Sequence, residues 1–78
     1  MHECGKMKVK TTDLQVGDVI LFADMREKVT AIEYDENPDV RMAIIRVVRD
    51  FGENDDRAPV VDWYGSGMSA EHEVERNV

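Results

Sequence analysis

Apolar and polar residues alternate one by one through most of this chain, and nowhere do apolar residues keep up the three-to-four spacing of a helix. The first clear run is Lys6-Met7-Lys8-Val9-Lys10, which sets Met7 and Val9 on one face and three lysines on the other. Side chains of a strand point alternately to its two sides, so this pattern predicts a half-buried strand. Lysines along the outer face suit an edge strand, because they discourage unwanted pairing. An apolar run of strand length follows at Val19-Ile20-Leu21-Phe22-Ala23, and a β-branched alternating segment at Lys28 to Tyr34. Asp24-Met25-Arg26-Glu27 reads as the hairpin connection between them. Val40 to Val48 is the longest strand candidate, and Val60 to Tyr64 a fifth. Glu71 to Val78 alternates again, with Glu71, Glu73 and Glu75 on one side and His72, Val74, Arg76 and Val78 on the other. Residues 68–73 admit at most one short turn of helix.

The punctuation between these runs is that of turns. In Thr11-Thr12-Asp13-Leu14-Gln15-Val16-Gly17-Asp18 the threonine and aspartate side chains can bond nearby backbone amides. Leu14 and Val16 are expected to tuck inward, and Gly17 to supply the positive φ of a tight turn. Asp35-Glu36-Asn37-Pro38-Asp39 is a loop whose proline has no place in a central strand. Gly52 to Pro59 is a second acidic loop around Asn54-Asp55-Asp56, and Gly65-Ser66-Gly67 reads as a flexible turn. Residues 1–5 show no period and read as a flexible N-terminal leader. Five or six short strands in 78 residues predict one all-β domain over residues 6–78, a small five- or six-stranded barrel whose closure removes exposed edges.

Thr12-Asp13-Leu14-Gln15-Val16-Gly17-Asp18-Val19-Ile20, followed by Lys28-Val29-Thr30-Ala31-Ile32, resembles the opening of many SH3-like barrels. It is most similar to short proteins of unknown function from actinobacteria and their phages, in which a DL-x-x-GD turn leads to a strand, a hairpin and a V-T-x-hydrophobic strand. The closing Glu73-Val74-Glu75 resembles their last strand. The resemblance implies an SH3-like barrel and carries no activity, since Asp, Leu and Gly here shape a turn. The same turn occurs in self-splicing Hint domains, and Cys4 and Asn77 stand near the ends as reacting residues would. Splicing domains need about twice this length, and their Thr-x-x-His block has no counterpart here.

Charge narrows the partners. Seventeen acidic residues against ten basic give a net charge of −7. Residues 1–50 hold eight basic and ten acidic groups, residues 51–78 two and seven, so the C-terminal third carries most of the negative field. Nucleic-acid affinity comes from Lys and Arg displacing counterions, and this balance argues against it. A single cysteine excludes an intramolecular disulfide and fits a reducing compartment. With no apolar run near the roughly 18 residues of a membrane span and no secretory-type leader, the expected location is the cytoplasm, or the host cytoplasm for a phage-encoded protein.

No reaction is written in the residues. His2, Cys4 and His72 lack the paired spacing of a zinc site, and neither acidic loop matches a calcium ladder; no metal and no cofactor are expected. Ser66, Ser69 and His72 show no sequence sign of a nucleophile constellation. Seventeen carboxylates guarantee neighbouring pairs, so pairing alone signals nothing. The expected function is a non-catalytic protein-interaction module, an accessory or regulatory factor of a phage or bacterium. Its expected protein-binding residues are the loop acids Asp35, Glu36, Asp39, Asp55 and Asp56 together with Trp63 and Tyr64, an aromatic pair of which one member should face out. The alternative is a nucleic-acid-associated SH3-like barrel using the lysine ladder Lys6, Lys8 and Lys10, with Arg41, Arg46 and Arg49 nearby and an aromatic for stacking. Around Met42 to Val48 both faces are apolar: Ala43, Ile45 and Val47 on one, Met42, Ile44 and Val48 on the other, broken only by Arg46. Either a bulge switches the facing or a patch is left for a second copy. The expected state is a homodimer through Met42, Ile44, Ile45, Val47 and Val48.

Overall fold

The computed structural model describes residues 4–50 and 60–77, with the side chains of Cys4, Asp50 and Asn77 excepted. It is all-β, with six strands: β1 (Cys4–Lys10), β2 (Val19–Phe22), β3 (Met25–Tyr34), β4 (Met42–Asp50), β5 (Val61–Gly67) and β6 (Glu71–Asn77). A single 3-10 turn, Thr11–Asp13, separates β1 from β2. All pairings are antiparallel, in the order β1-β6-β2-β3-β4-β5. β2 to β5 form a meander, and β6 returns to lie between β1 and β2.

Each strand buries alternate residues, as its sequence dictates. Leu14, Ile20, Val29, Ile45, Val47 and Val74 make the core on the concave face, with Met7, Val9, Ile32 and Tyr64 packed against it. A bulge in β3 between Val29 and Ala31 shifts its register against β4. Such bulges bend a strand and increase its twist, which helps curl the sheet around the core.

The expected barrel does not close. Strands β1 and β5 are the two ends of the sheet among the described residues, with no ladder between them. In this order a sealed ring needs β1 to pair with β5, and β6 cannot take the place of β1. Both edges of β6 are used, one by β1 and the other by β2. The gap is bridged by side chains instead: Thr11 Oγ1 lies 3.2 Å from Ser66 Oγ on β5, and the Tyr34 hydroxyl donates to Thr11 O at 3.4 Å.

The turn before β2 is locked from the far end of the described chain. Asp18, 2% exposed, accepts Arg76 Nε at 2.8 Å and Arg76 Nη2 at 2.7 Å, and also the Gln15 N–H at 2.9 Å. Burial pushes the Asp18 carboxyl up, but the Arg76 and Gln15 hydrogen bonds together outweigh it and hold the group below its ordinary value of 3.8. Gly17 has the expected positive φ, 100°. Leu14 is buried as expected, whereas Val16 is 64% exposed: the turn carries it over the sheet edge.

Other boundaries shift. β1 begins at Cys4, so residues 4 and 5 of the expected leader belong to a strand, while residues 1–3 lie outside the described residues. β3 begins at Met25, because Phe22 pairs directly with Met25 and the turn shrinks to Ala23-Asp24. Gly65-Ser66-Gly67 is the end of β5 and not a turn; the chain reverses at Met68-Ser69, and residues 68–73 hold no helix. No described helix is long and apolar enough to cross a membrane.

Candidate functional site

Because neighbouring residues face opposite ways, the sheet offers two surfaces of different chemistry. On the convex face, the register of β1 with β6 sets Lys6 opposite Glu75, Lys8 opposite Glu73 and Lys10 opposite Glu71. Opposite charges directly across a ladder stabilise the pairing. They also cancel the field that a polyanion would need, since each lysine of the basic ladder faces a carboxylate. Next along, Arg26 of β3 pairs with Glu75.

Across β4 and β5 the same face turns apolar. Met42 is 37% exposed, Ile44 48%, Val61 42% and Trp63 55%. Val48, partly buried, stands opposite Val61, and Arg46 opposite Trp63 with its guanidinium carbon 5.5 Å from the ring centroid. The facing of β4 never switches, because the bulge sits in β3: Ala43, Ile45 and Val47 are all fully buried. Ile45 and Val47 therefore belong to the core and are removed from the expected self-association surface, while Met42, Ile44 and Val48 remain on it. Trp63 is the outward member of the aromatic pair, and Tyr64 faces the core. The patch ends at β5, whose second edge has no partner strand among the described residues.

The acidic loop following β3 is exposed through Asp35, Glu36 and Asp39. Asp35 Oδ1 accepts the Asn37 N–H at 2.8 Å, and Asn37 Oδ1 accepts the Asp39 N–H at 3.0 Å, so Asp35 and Asn37 also hold the loop's own shape. Asp55 and Asp56 lie outside the described residues.

Two arrangements on the concave face escaped sequence reasoning. The first joins Thr11, Ser66 and His72. Thr11 Oγ1 lies 2.8 Å from His72 Nε2, and Ser66 Oγ lies 3.3 Å from the same nitrogen. Burial pushes the imidazole below its usual 6.5, so near neutral pH it is uncharged. A hydroxyl beside an imidazole is the first requirement of nucleophilic catalysis. Here Thr11 is fully buried and Ser66 8% exposed, and both hydroxyls serve to tie β5 to β6 and the 3-10 turn. The second arrangement is a cavity of about 400 Å³ between the β2–β3 hairpin, β5 and β6. Ile20, Phe22, Met25 and Tyr64 line it with apolar surface; Glu27, Glu71 and His72 complete it. Burial, together with the negative charge of Glu27, pushes the Tyr64 hydroxyl up to about 12, so it stays protonated. Among the described residues, no three His, Cys, Asp or Glu side chains gather as a metal site.

Comparison with protein families, characterised proteins and solved structures finds no match to this chain.

Proposed function

We propose that this protein is a non-catalytic protein-interaction module that binds through the convex face of β4 and β5, with a second copy of the chain as its occupant. One observation carries this reading: four apolar side chains, each between 37% and 55% exposed, share one face beside a strand edge that pairs with no described strand. Trp and Arg are the residues on which binding energy concentrates, and Arg46 stacked on Trp63 supplies both. Self-pairing has a register that fits. Antiparallel pairing of β5 with its copy about Tyr64 sets each Trp63 across from the other copy's Gly65. A side chain at Gly65 would meet Met42 Cε at 3.5 Å, so the indole would lie over a bare glycine beside an apolar methyl, an arrangement known to cover edge glycines.

The hydroxyls beside His72 are buried, which favours binding over catalysis. The lysine ladder faces carboxylates, which favours protein over nucleic acid. The resemblance to short actinobacterial and phage proteins fits an accessory or regulatory factor of the cytoplasm.

At about half exposure the four side chains contribute roughly 4 kcal/mol per copy when covered. The roughly 8 kcal/mol from two copies exceeds the lower bound of association cost, about 4 kcal/mol, by about 4 kcal/mol, which corresponds to a Kd of about 1 mM. Sedimentation equilibrium from ~10 μM to ~1 mM reaches that Kd. The average mass should rise towards twice the monomer's, and Ile44→Lys should hold it at the monomer. A wild-type protein that stays monomeric throughout would overturn the assignment.

A further inference from the structure

Glu27 is out of place in an ordinary core. It is 8% exposed, yet its carboxyl makes no hydrogen bond or ion pair with any described residue. The cation opposite it in the ladder, Arg49, turns to Asp62 instead, with Nε 3.1 Å from Asp62 Oδ2. Its sequence neighbour Arg26 lies on the other face and pairs with Glu75. A carboxylate with no described counter-charge gains from pairing with a cation. This one lines a cavity open to ligand, so the missing partner can come from outside.

The rest of the cavity limits what that partner is. Its volume, about 400 Å³, is that of a small-molecule site. Phe22 and Tyr64 offer aromatic surface to a cation, and Ile20 and Met25 offer contact to an aliphatic chain. A hard metal ion needs six or more oxygens, and these walls do not provide them. Glu71, set opposite Lys10 by the register, only borders the cavity, while His72 turns Nε2 towards Thr11 and Ser66. Among the described residues, no lysine or arginine lines the cavity. We propose that this cavity binds an organic cation, an ammonium group on an apolar stem, with Glu27 as its counter-ion. The stem lies along Ile20 and Met25, and the ammonium reaches Glu27 past Tyr64. The site is on the concave face and is separate from the convex surface proposed for self-pairing.

Two sources share this chemistry: a free alkylamine and a lysine side chain of another protein. The test is titration of the isotope-labelled protein with n-butylammonium chloride, with 1-butanol and sodium chloride as controls, followed by amide NMR. n-Butylammonium should give saturable shifts at Glu27, Tyr64 and His72 that neither control produces. Glu27→Gln should weaken the binding about tenfold or more, as expected for loss of a buried ion pair. The ammonium–alcohol contrast in the wild-type protein decides the question even if the variant fails to fold. A blocked lysine amide titrated alongside separates the sources: binding as tight as butylammonium's assigns a partner's lysine, and weaker binding assigns a free amine. Absence of saturable shifts with either ammonium, equal response to butanol, or undiminished binding by a folded Glu27→Gln would overturn the proposal.

Discussion

Replacing Arg76 by methionine should destabilise the fold more than any other single change at its surface. Asp18 would keep only the Gln15 N–H at 2.9 Å and lose both guanidinium bonds, while remaining 2% exposed. Stranding one member of a fully buried pair costs about 3–5 kcal/mol. The Arg76 side chain is 21% exposed, so water relieves part of this, leaving about 2–4 kcal/mol. A domain of this length has roughly 4–12 kcal/mol in total, so Tm should fall by roughly 10–25 °C. The pH dependence supplies an independent check. In the wild type the Asp18 carboxyl sits below its unfolded value of 3.8; the pair's contribution is therefore complete above that value and fades as pH falls through the folded one. In Arg76→Met burial is left to dominate and the carboxyl moves upward, so acid relieves the penalty. Urea unfolding followed by circular dichroism should show the gap between wild type and variant widest near pH 7 and narrowing below about pH 5. A gap under about 0.5 kcal/mol at pH 7, or one unchanged by acid, would refute this account of the turn.

Three further outcomes are expected. Since burial lowers the His72 pKa, the unfolded chain takes up the proton first; stability should be full above pH 6.5 and decline as pH falls below it, a decline that His72→Gln abolishes in parallel urea titrations. Ile45→Ala should cost about 2–5 kcal/mol by cavity formation and Ile44→Ala, in dilute protein, under about 0.5 kcal/mol; the reverse order in thermal melts would mean that the facing of β4 is wrong. Ala23 holds a left-handed φ of 52°, so Ala23→Gly should gain about 0.5–1 kcal/mol, and a loss of stability would show that the turn tolerates alanine without strain.

Alternation made the facing of most strands legible: Met7 and Val9 face in, Lys6, Lys8 and Lys10 face out, and the two apolar sides of Met42 to Val48 are one core face and one surface patch. What short range could not reveal was pairing order. Lys6, Lys8 and Lys10 and Glu71, Glu73 and Glu75 are complementary charges at equal spacing, a cross-strand signal that reads correctly only when both segments are considered together. Ala23 has none of the turn chemistry of Gly or Asn, so the true hairpin turn was hidden and β3 began too late. The two glycines around Ser66 carry turn chemistry, yet they end a strand, held by the pairing of β5 with β4. Glu27 looks like any solvated charge in sequence, and its burial follows from the curl of the sheet. Thr11, Ser66 and His72 meet across 55 and 61 positions, a juxtaposition that only the tertiary fold supplies.

The placement of β6 also has a consequence for synthesis. The last of the described strands to leave a ribosome is the one that both β1 and β2 need as a neighbour. Until it emerges, β1 has no ladder partner, and Asp18 waits without its guanidinium. The β2–β5 meander can form while the chain is still growing, because its contacts are local, but the N-terminal strand cannot join it early. Non-local contacts of this kind slow folding and leave strand edges exposed while it is under way. A nascent chain of this protein should therefore resist a pulling force only after the segment bearing Arg76 has cleared the exit tunnel.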